Sequence, residues 1–592
     1  MNSSIVFKKG KACVSIDGVL HYPIAYTTYF EECGEFSDFI KSGYRMFFVN
    51  VSFTDLAINN VSGFSPFRTG VFENDEPDYR EFDGIVSGIL AECPDALIFP
   101  RINIAMPRKW IENNPDECVS TPRGMREALW SKKFLDDGEK LLAELVSHIR
   151  SSDYNDRIAG YQVCGGTTQE WMHHDMAGSF SSASLKEFEL WMKEKYNADI
   201  VPEITKEELF EVGFNETVSR YGEFCCETAA NAVEHFCKVL KKLTNNEQIV
   251  GTFYGYNSFV NDILLGLLGL RHIIDSPHID FFSSPCCYDC NRELGVDWGD
   301  MIAEKSLKLH NKLYFVECDV RTFLTKRVHE SRPGEFSEEY YKLIDDNGNK
   351  TVWSGPDTLE LSINAIRKTF AHQLVKGSGI WWFDMWGGWY HNEKIMLELS
   401  EMKRIAEKSK EKCGVYPSAD TVVFIDEKAY FNNPRGSAVC NSVNNLRVAM
   451  GNTGIPFDLC MVEDAKRVLD KYKAAVFTAP LPSESGKKAM ALCEKMNIPY
   501  FFPEGDKIYV STTELREFLM SKGLHCYNTA NNVVYCGGGY IGIHTANEGK
   551  VEIRLPEKYR VKALFDTSFR EQDTDVISLD MKKHDTALFE LM

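Results

Sequence analysis

Several things are scarce in this chain of 592 residues. Its longest apolar run, 263–270, is far short of the ~20 residues a membrane-spanning helix needs. Neither GxGxxG nor GxxxxGK(S/T) follows the first apolar run, which continues Tyr26-Thr-Thr-Tyr-Phe30, so dinucleotide and nucleoside triphosphate use lose their main support. Positive charge is short as well. Lys and Arg total 66 against 86 Asp and Glu, a net charge of −20, which repels nucleic acid and anionic lipid surfaces. The 18 cysteines have no framework spacing and read as reduced thiols. The opening Met1-Asn-Ser-Ser-Ile-Val-Phe-Lys has no apolar core ahead of a small-residue cleavage site, so the expectation is no secretory signal and a cytoplasmic protein. Internal repeats and low-complexity tracts are absent. The composition is 44% hydrophobic and 12% aromatic, too apolar for disorder.

Short β-branched or aromatic runs recur up to about residue 410, most of them followed by a helix-period stretch. They fall at 24–26, 46–51, 96–102, 158–163, 249–254, 279–282, 313–317 and 379–383. One intervening helix carries Phe134, Leu141, Leu142, Leu145 and Ile149 at helical spacing, and another Phe224, Ala229, Val233, Phe236 and Leu240. Eight such units in about 390 residues predict a closed (β/α)₈ barrel rather than an open sheet. Chemistry in such a barrel sits at the C-terminal ends of the strands.

Two of those ends carry glutamates. The fourth strand runs from Gly160 through Gly165-Gly-Thr-Thr-Gln169 to Glu170 and Trp171, and the seventh from Leu313 to Glu317, followed by Cys318, Asp319 and Arg321. Two carboxylates about 5–5.5 Å apart serve a retaining glycosidase, as acid/base and nucleophile, and about 6.5–9.5 Å apart an inverting one. Sequence leaves that separation open. With these stretches, Pro100-Arg101-Ile-Asn103, Pro107-Arg-Lys-Trp110, Gly160-Tyr161-Gln162, Gln169-Glu170-Trp171 and Gly379-Ile-Trp-Trp-Phe-Asp384-Met-Trp386, the chain resembles the clan A (β/α)₈ glycoside hydrolases. Within them it resembles the three-domain family 42 β-galactosidases over its whole length. The resemblance implies Glu170 as general acid/base and Glu317 as nucleophile, a glycoside or oligosaccharide as substrate, exo action, no cofactor or metal, and a homotrimer. It departs from the clan pattern at Gln169, where the clan usually has an Asn that contacts the sugar 2-hydroxyl. The family 164 β-mannosidases, similar in plan, are therefore an alternative, because mannose differs from glucose at that hydroxyl.

Around the pair, the indoles of Trp382, Trp386 and Trp389 are expected to line the site, with Trp171 beside Glu170 and Asp384 at the end of strand eight. Trp381 is balanced between the site and the barrel interior. Arg101, Asn103, Gln169, Tyr254 and Tyr256 are the polar groups expected to fix hydroxyls or orient the nucleophile. Tyr288 sits where the clan often has a tyrosine bonded to the nucleophile, and Asp319 with Arg321 forms a candidate positioning ion pair. His173 and His174 read as a surface loop pair more readily than as substrate contacts. Cys164, Cys286, Cys287, Cys290 and Cys318 lack well-separated CxxC pairs and read as small buried thiols rather than zinc ligands.

The catalytic barrel is drawn as 1–412. Strand runs at 421–425, 456–459, 474–478 and 499–502, with helices at 484–496 and 512–522, predict an open flavodoxin-like or amidotransferase-like α/β domain at 413–529. Phe477-Thr-Ala-Pro480 offers no cysteine elbow for a second active site, and the resemblance gives this domain a trimerisation role. Alternating runs from 533 onward predict a small antiparallel sandwich at 530–592. Two readings from other classes compete with this one. A carbohydrate-binding protein on a dead hydrolase scaffold would normally lack one carboxylate, and a Schiff-base lyase needs a strand-end lysine that is not evident.

Overall fold

The computed structural model describes residues 1–592 apart from 61, 176–181, 199–203, 206, 207, 209–214, 260, 261, 289–291, 335, 337, 340, 343–353, 413–417, 433–437, 504–508 and 567. Cys290 and the junction drawn after residue 412 lie at or outside these limits.

The chain begins with an antiparallel hairpin that the periodicity reading did not anticipate: β1 (Ser3–Lys8), β2 (Lys11–Ile16) and β3 (Val19–His21). The Ser3 hydroxyl donates to the Ala159 carbonyl at 2.5 Å and accepts the Ile249 amide at 2.8 Å, so the hairpin ties together two strand starts at the N-terminal end of the barrel. Barrel strands follow as β4 (Ile24–Thr28), β5 (Met46–Ser52) and β6 (Leu97–Ile104). A second short hairpin, β7 (Cys118–Thr121) with β8 (Gly124–Glu127), stands outside the sheet. The barrel is completed by β9 (Gly160–Gly165), β10 (Ile249–Phe253), β11 (Phe281–Pro285), β12 (Leu313–Cys318) and β13 (Gly379–Asp384). All pair in parallel, and β13 closes on β4, giving the expected (β/α)₈ barrel.

These strands are buried along their whole length, as both-faced burial requires. β11 runs three residues past the expected 279–282 because Ser283, Ser284 and Pro285 continue it as the interior turns polar toward the mouth. There Gln162 donates to the Ser283 hydroxyl at 3.0 Å. Helices wrap the outside with sequence-encoded caps. Ser131 accepts the Phe134 amide at the start of Lys132–Ser151, Asn215 the Val218 amide at the start of Glu216–Leu243, and Thr358 the Leu361 amide at the start of Leu359–Lys376. Among the described residues no helix is long and apolar enough to cross a membrane.

The floor of the barrel is aromatic. Phe48 stacks on Phe99 at 4.8 Å and on Trp381 at 5.1 Å between ring centroids, and meets Phe315 edge-on at 5.4 Å. This plug makes the interior a packed core rather than a pore and sets the depth of any cavity above it.

A second sheet of four parallel strands follows, β14 (Thr421–Ile425), β15 (Phe457–Met461), β16 (Ala474–Phe477) and β17 (Tyr500–Phe501), in the open order β15-β14-β16-β17. A buried charge cluster fastens it to the barrel: Lys376 lies 3.0 Å from Glu304 and 2.9 Å from Asp458.

The C-terminal strands are β18 (Val533–Gly537), β19 (Tyr540–His544), β20 (Gly549–Ala563), β21 (Gln572–Met581) and β22 (Thr586–Leu591), antiparallel in the order β18-β19-β22-β20-β21. The expected antiparallel layer is present, but its strands form one sheet rather than two. Its register shifts between Arg554 and Tyr559 of β20, around Pro556. Ile541, Ile553, Ile577 and Phe589 share one core, so a single bent sheet encloses the apolar interior that two facing sheets would.

Phe48 is fully buried and touches four of the rings below the mouth. Phe48→Ala is expected to lower the unfolding free energy by about 3–5 kcal/mol, measured by urea denaturation; a loss under about 1 kcal/mol would show that the plug is not what holds the barrel closed.

Candidate active site

One cavity of about 410 Å³ opens at the C-terminal ends of the barrel strands, inside the range of roughly 300–1,000 Å³ typical of small-molecule sites. Glu170, just past β9, and Glu317, on β12, both line it. Tyr288, Arg321 and Trp386 do so as well.

The loop after β9 is built under strain. Gly166, Thr168, Gln169 and Trp171 all take positive φ, at 63°, 59°, 66° and 60°, and left-handed backbone costs non-glycine residues of order 1–3 kcal/mol each. At Gly166 a Cβ would stand 2.3 Å from the Met172 carbonyl oxygen, so only glycine fits. The loop is pinned by the Thr167 amide donating to the Met172 carbonyl at 2.8 Å and the Thr168 amide donating to the Ile58 carbonyl at 2.7 Å. The Thr168 hydroxyl donates to Glu170 at 2.5 Å. Burial raises the Glu170 carboxyl to about 7, against the stabilising effect of Thr168, Tyr256 and Arg101 on its charge. Gln169 is fully buried, with neither end of its amide hydrogen-bonded.

Glu317 is 3% exposed, and its Oε2 has no partner. Burial raises its pKa, as do the like charges of Asp319 and Glu170, while Arg101 and Arg292 oppose the shift. Asp319, two residues on, anchors an ion network. It lies 2.5 Å from Arg292, accepts a bond from Arg321, and accepts the Tyr288 hydroxyl at 3.0 Å. Arg292 also lies over the Tyr288 ring at 4.1 Å. Periodicity gave no signal for Arg292, which lies in an irregular segment far from either glutamate in sequence. Arg101 sits below, fully buried, its guanidinium 4.8 Å from the Trp381 ring and 5.2 Å from those of Tyr29 and Phe253. None of its three nitrogens has a hydrogen-bond partner.

Several expected substrate contacts lie elsewhere. Trp171 is fully buried against Gly165 and stacks on Phe236 of the helix layer at 5.9 Å. Tyr254 turns outward and donates to the Gly266 carbonyl at 2.7 Å. Trp382 also faces outward, its indole donating to the Tyr44 hydroxyl at 3.0 Å. The cause is the two-residue period of a strand: Trp381 and Phe383 point inward, so Trp382 and Asp384 cannot. Asp384 accepts the Trp389 amide at 3.3 Å and holds the turn through Gly387 and Gly388, whose φ angles are 88° and 82°. Burial, then Glu35, raises its carboxyl to about 8. Asn103 donates to the Ser52 hydroxyl at 2.8 Å below the mouth. Trp389 stands perpendicular to Trp386 at 5.2 Å and beneath Arg321 at 4.8 Å, supporting the wall rather than forming it. Tyr256 is buried within electrostatic reach of both glutamates. His173 and His174 are not surface residues. His173 lies 2.9 Å from the Cys225 carbonyl oxygen, and His174 3.0 Å from Glu127, whose carboxyl Arg126 and His174 hold at about 2 despite its burial.

Wall residues that the reading missed come from loops without a period. Ile58, Asn59, Ser62 and Phe64 follow β5, and Phe336 stacks on Phe64 at 4.9 Å. Cys164, Cys286, Cys287 and Cys318 are buried free thiols. Elsewhere, Glu35, Asp38 and His391 bring three potential metal-ligating atoms within 4.8 Å, but as a partly exposed ion cluster in which His391 already pairs with both acids.

No model of a known protein family matches the sequence, and no curated protein does. Solved structures do match in fold. A β-galactosidase from Rahnella sp. R3 aligns with a TM-score of 0.62 at 10% identity, over 96% of this chain and 98% of that one. A catalytic mutant of a GH42 β-galactosidase from G. stearothermophilus aligns at 0.58 and 11%, over 96% and 98%. An α-L-fucosidase isoenzyme 2 from Paenibacillus thiaminolyticus aligns at 0.54 and 10%, over 97% and 100%. The chain thus has the complete architecture of the GH42 β-galactosidases, and the likeness is one of fold.

Asp384 offers a check on its placement. A carboxyl raised from 3.8 to about 8 binds more protons folded than unfolded between these values, so its contribution is complete below about pH 4 and is lost as pH rises toward 8. Asp384→Asn is expected to remove up to about 1.4 kcal/mol per pH unit of that slope. The measurement is denaturant unfolding at pH 4, 6 and 8; an unchanged slope would mean Asp384 is ionised in the fold.

Proposed function

We propose that the protein is a retaining β-glycosidase that removes a terminal β-linked hexose, galactose first and mannose as the alternative, with Glu170 as acid/base and Glu317 as nucleophile. The observation that carries this reading is that glutamates from the fourth and seventh barrel strands line one sugar-sized cavity, where burial raises Glu170 to about 7. The GH42 architecture supports it.

In the first step Glu317 attacks the anomeric carbon and the glycosidic bond breaks, while Glu170 gives its proton to the departing oxygen. In the second, Glu170 takes a proton from water, whose oxygen displaces Glu317 from the anomeric carbon and frees the sugar. The charge of Asp319 is already matched by Arg292 and Arg321, and Arg101 adds a further cation. Retention requires the negative charge on Glu317 and the proton on Glu170; Arg101 and Arg292 favour the charge on Glu317, against burial and Asp319, which push its carboxyl well above the usual range. Trp386, Phe64 and Phe336 offer apolar faces to sugar C–H groups.

The remaining elements of the proposal rest on resemblance. A barrel spanning 1–412 carries catalysis, 413–529 assembles a cytoplasmic homotrimer, and 530–592 closes the fold; light scattering on the purified protein tests the trimer.

A panel of para-nitrophenyl β-galactoside, β-mannoside, β-glucoside and α-L-fucoside tests the activity. Glu317→Gln should abolish turnover with folding intact, and wild-type-like turnover in it would overturn the assignment. Glu170→Ala should slow poor leaving groups by about 10²–10⁴-fold and spare 2,4-dinitrophenyl glycosides; equal losses on both would remove Glu170 from the acid role. Because Glu170 must be protonated to donate, kcat/KM should fall above about pH 7, and that limb should vanish in Glu170→Ala.

A further inference from the structure

The cavity is lined by a cation whose bonding within the fold is incomplete. Three guanidiniums surround Glu317, and their bonding differs. Arg101 is sequestered in its aromatic box and does not line the cavity. Arg292 is engaged at all three nitrogens: Nε donates to the Cys287 carbonyl at 3.3 Å, Nη2 to the Cys286 carbonyl at 2.7 Å, and Nη1 to the Asp319 carbonyl at 3.1 Å, with the Asp319 carboxylate 2.5 Å away. Arg321 is different. It lines the cavity and is 5% exposed, its Nη1 donates to the Asp319 carbonyl at 2.8 Å and to that carboxylate, and its Nε is buried with no partner.

One carboxylate cannot neutralise two guanidiniums. Asp319 pairs with Arg292 through one oxygen and with Arg321 through the other, so a net positive charge remains on the trio, and Arg321, held by the Trp389 face, is the member that lines the cavity. Arg321 is not chiefly spent on the nucleophile, since Arg101 and Arg292 are the guanidiniums that most favour ionised Glu317. A buried guanidinium with an unpartnered N–H is costly to keep, and a planar fork of this kind suits a carboxylate or sulfate. It is the cation among the residues lining this cavity, in a chain whose net charge is −20.

We propose that the natural substrate is an anionic glycoside, with a carboxylate or sulfate group at or next to the cleaved sugar, and that Arg321 is the residue that selects it. The inference rests on the glycosidase reading and narrows its substrate class. A uronic acid and a sulfated hexose share the required chemistry.

Matched pairs test it: para-nitrophenyl β-D-galacturonide and galactoside 6-sulfate against the galactoside, and the β-D-glucuronide against the glucoside. The expected result is a kcat/KM at least tenfold higher for one anionic member, and which one separates carboxylate from sulfate. Arg321→Gln should lower the anionic-to-neutral ratio by about 10–100-fold, the worth of hydrogen bonds to a charged group, and Arg321→Lys should keep part of it; thermal melts establish that each variant folds. Hydrolysis of neutral members alone, or an unchanged ratio in folded Arg321→Gln, would overturn the inference and leave the glycosidase reading standing. Silence on every substrate would sink the glycosidase reading. Calorimetric titration of galacturonate, glucuronate and galactose 6-sulfate against the neutral sugars then decides the inference: anionic preference lost in Arg321→Gln supports it, and no preference overturns it.

Discussion

Closure of β13 on β4 is the constraint from which the rest of this molecule follows. In an open sheet each strand has two equivalent faces, but a closed barrel makes one face an interior with a fixed radius and the other a bed for helices. The aromatic plug of Phe48, Phe99, Phe315 and Trp381 fills that radius from below. Whatever stands above the plug has nowhere to go but the mouth, where Glu170 and Glu317 line a common cavity. Long loops then wall the mouth, and the strained turn at 166–171 is held by the loop after β5 through the Thr168 amide and the Ile58 carbonyl.

The same constraint explains which parts of the molecule could be read from its sequence. Eight strands and the barrel they form were legible because both-faced burial writes each strand as a compact apolar run, and because the intervening helices carry their stripes at Leu142, Leu145 and Ile149 or at Val233, Phe236 and Leu240. The residues that terminate strands were legible too, so Glu170, Glu317, Tyr288 and Arg321 could be named as neighbours in advance, and all four line the cavity. What failed was the face of individual residues. A run such as Trp381-Trp382-Phe383 alternates inward and outward, but when every member is aromatic the sequence carries no phase. Trp382, Tyr254 and Trp171 consequently pack in the helix layer, where their polar tips find Tyr44, Gly266 and Val163. The walls contributed by Phe64 and Phe336 were illegible for another reason, since irregular loops have no period from which to infer direction.

Electrostatics in the mouth reverses that of the molecule. The chain is strongly acidic, yet Arg101, Arg292 and Arg321 gather around Glu317, with Asp319 paired to the last two. Burying three guanidiniums is expensive, and two of them are compensated by different means, Arg101 by π faces and Arg292 by carbonyls and a carboxylate. Burial is the largest influence on both glutamates; Arg101 favours the charged form of each, and Arg292 that of Glu317. Two carboxyls of one chemical type are thereby given unequal surroundings, as the proposed acid and nucleophile require.

Arg321 is compensated only in part: Asp319 accepts from its Nη1 and Trp389 lies against it, but its Nε has no partner. Its Nε is as buried as the nitrogens of Arg101, but its guanidinium is part of the cavity wall and not of the floor. Arg321 is the cationic side chain in the described wall of the cavity, and a charged donor favours an acceptor that is itself charged. On this argument the acidity of the rest of the surface also has a consequence. It repels anionic sugars in bulk, so their selection depends on the short-range bond at Arg321 rather than on long-range steering, and added salt, by screening that repulsion, should speed capture more than it changes release.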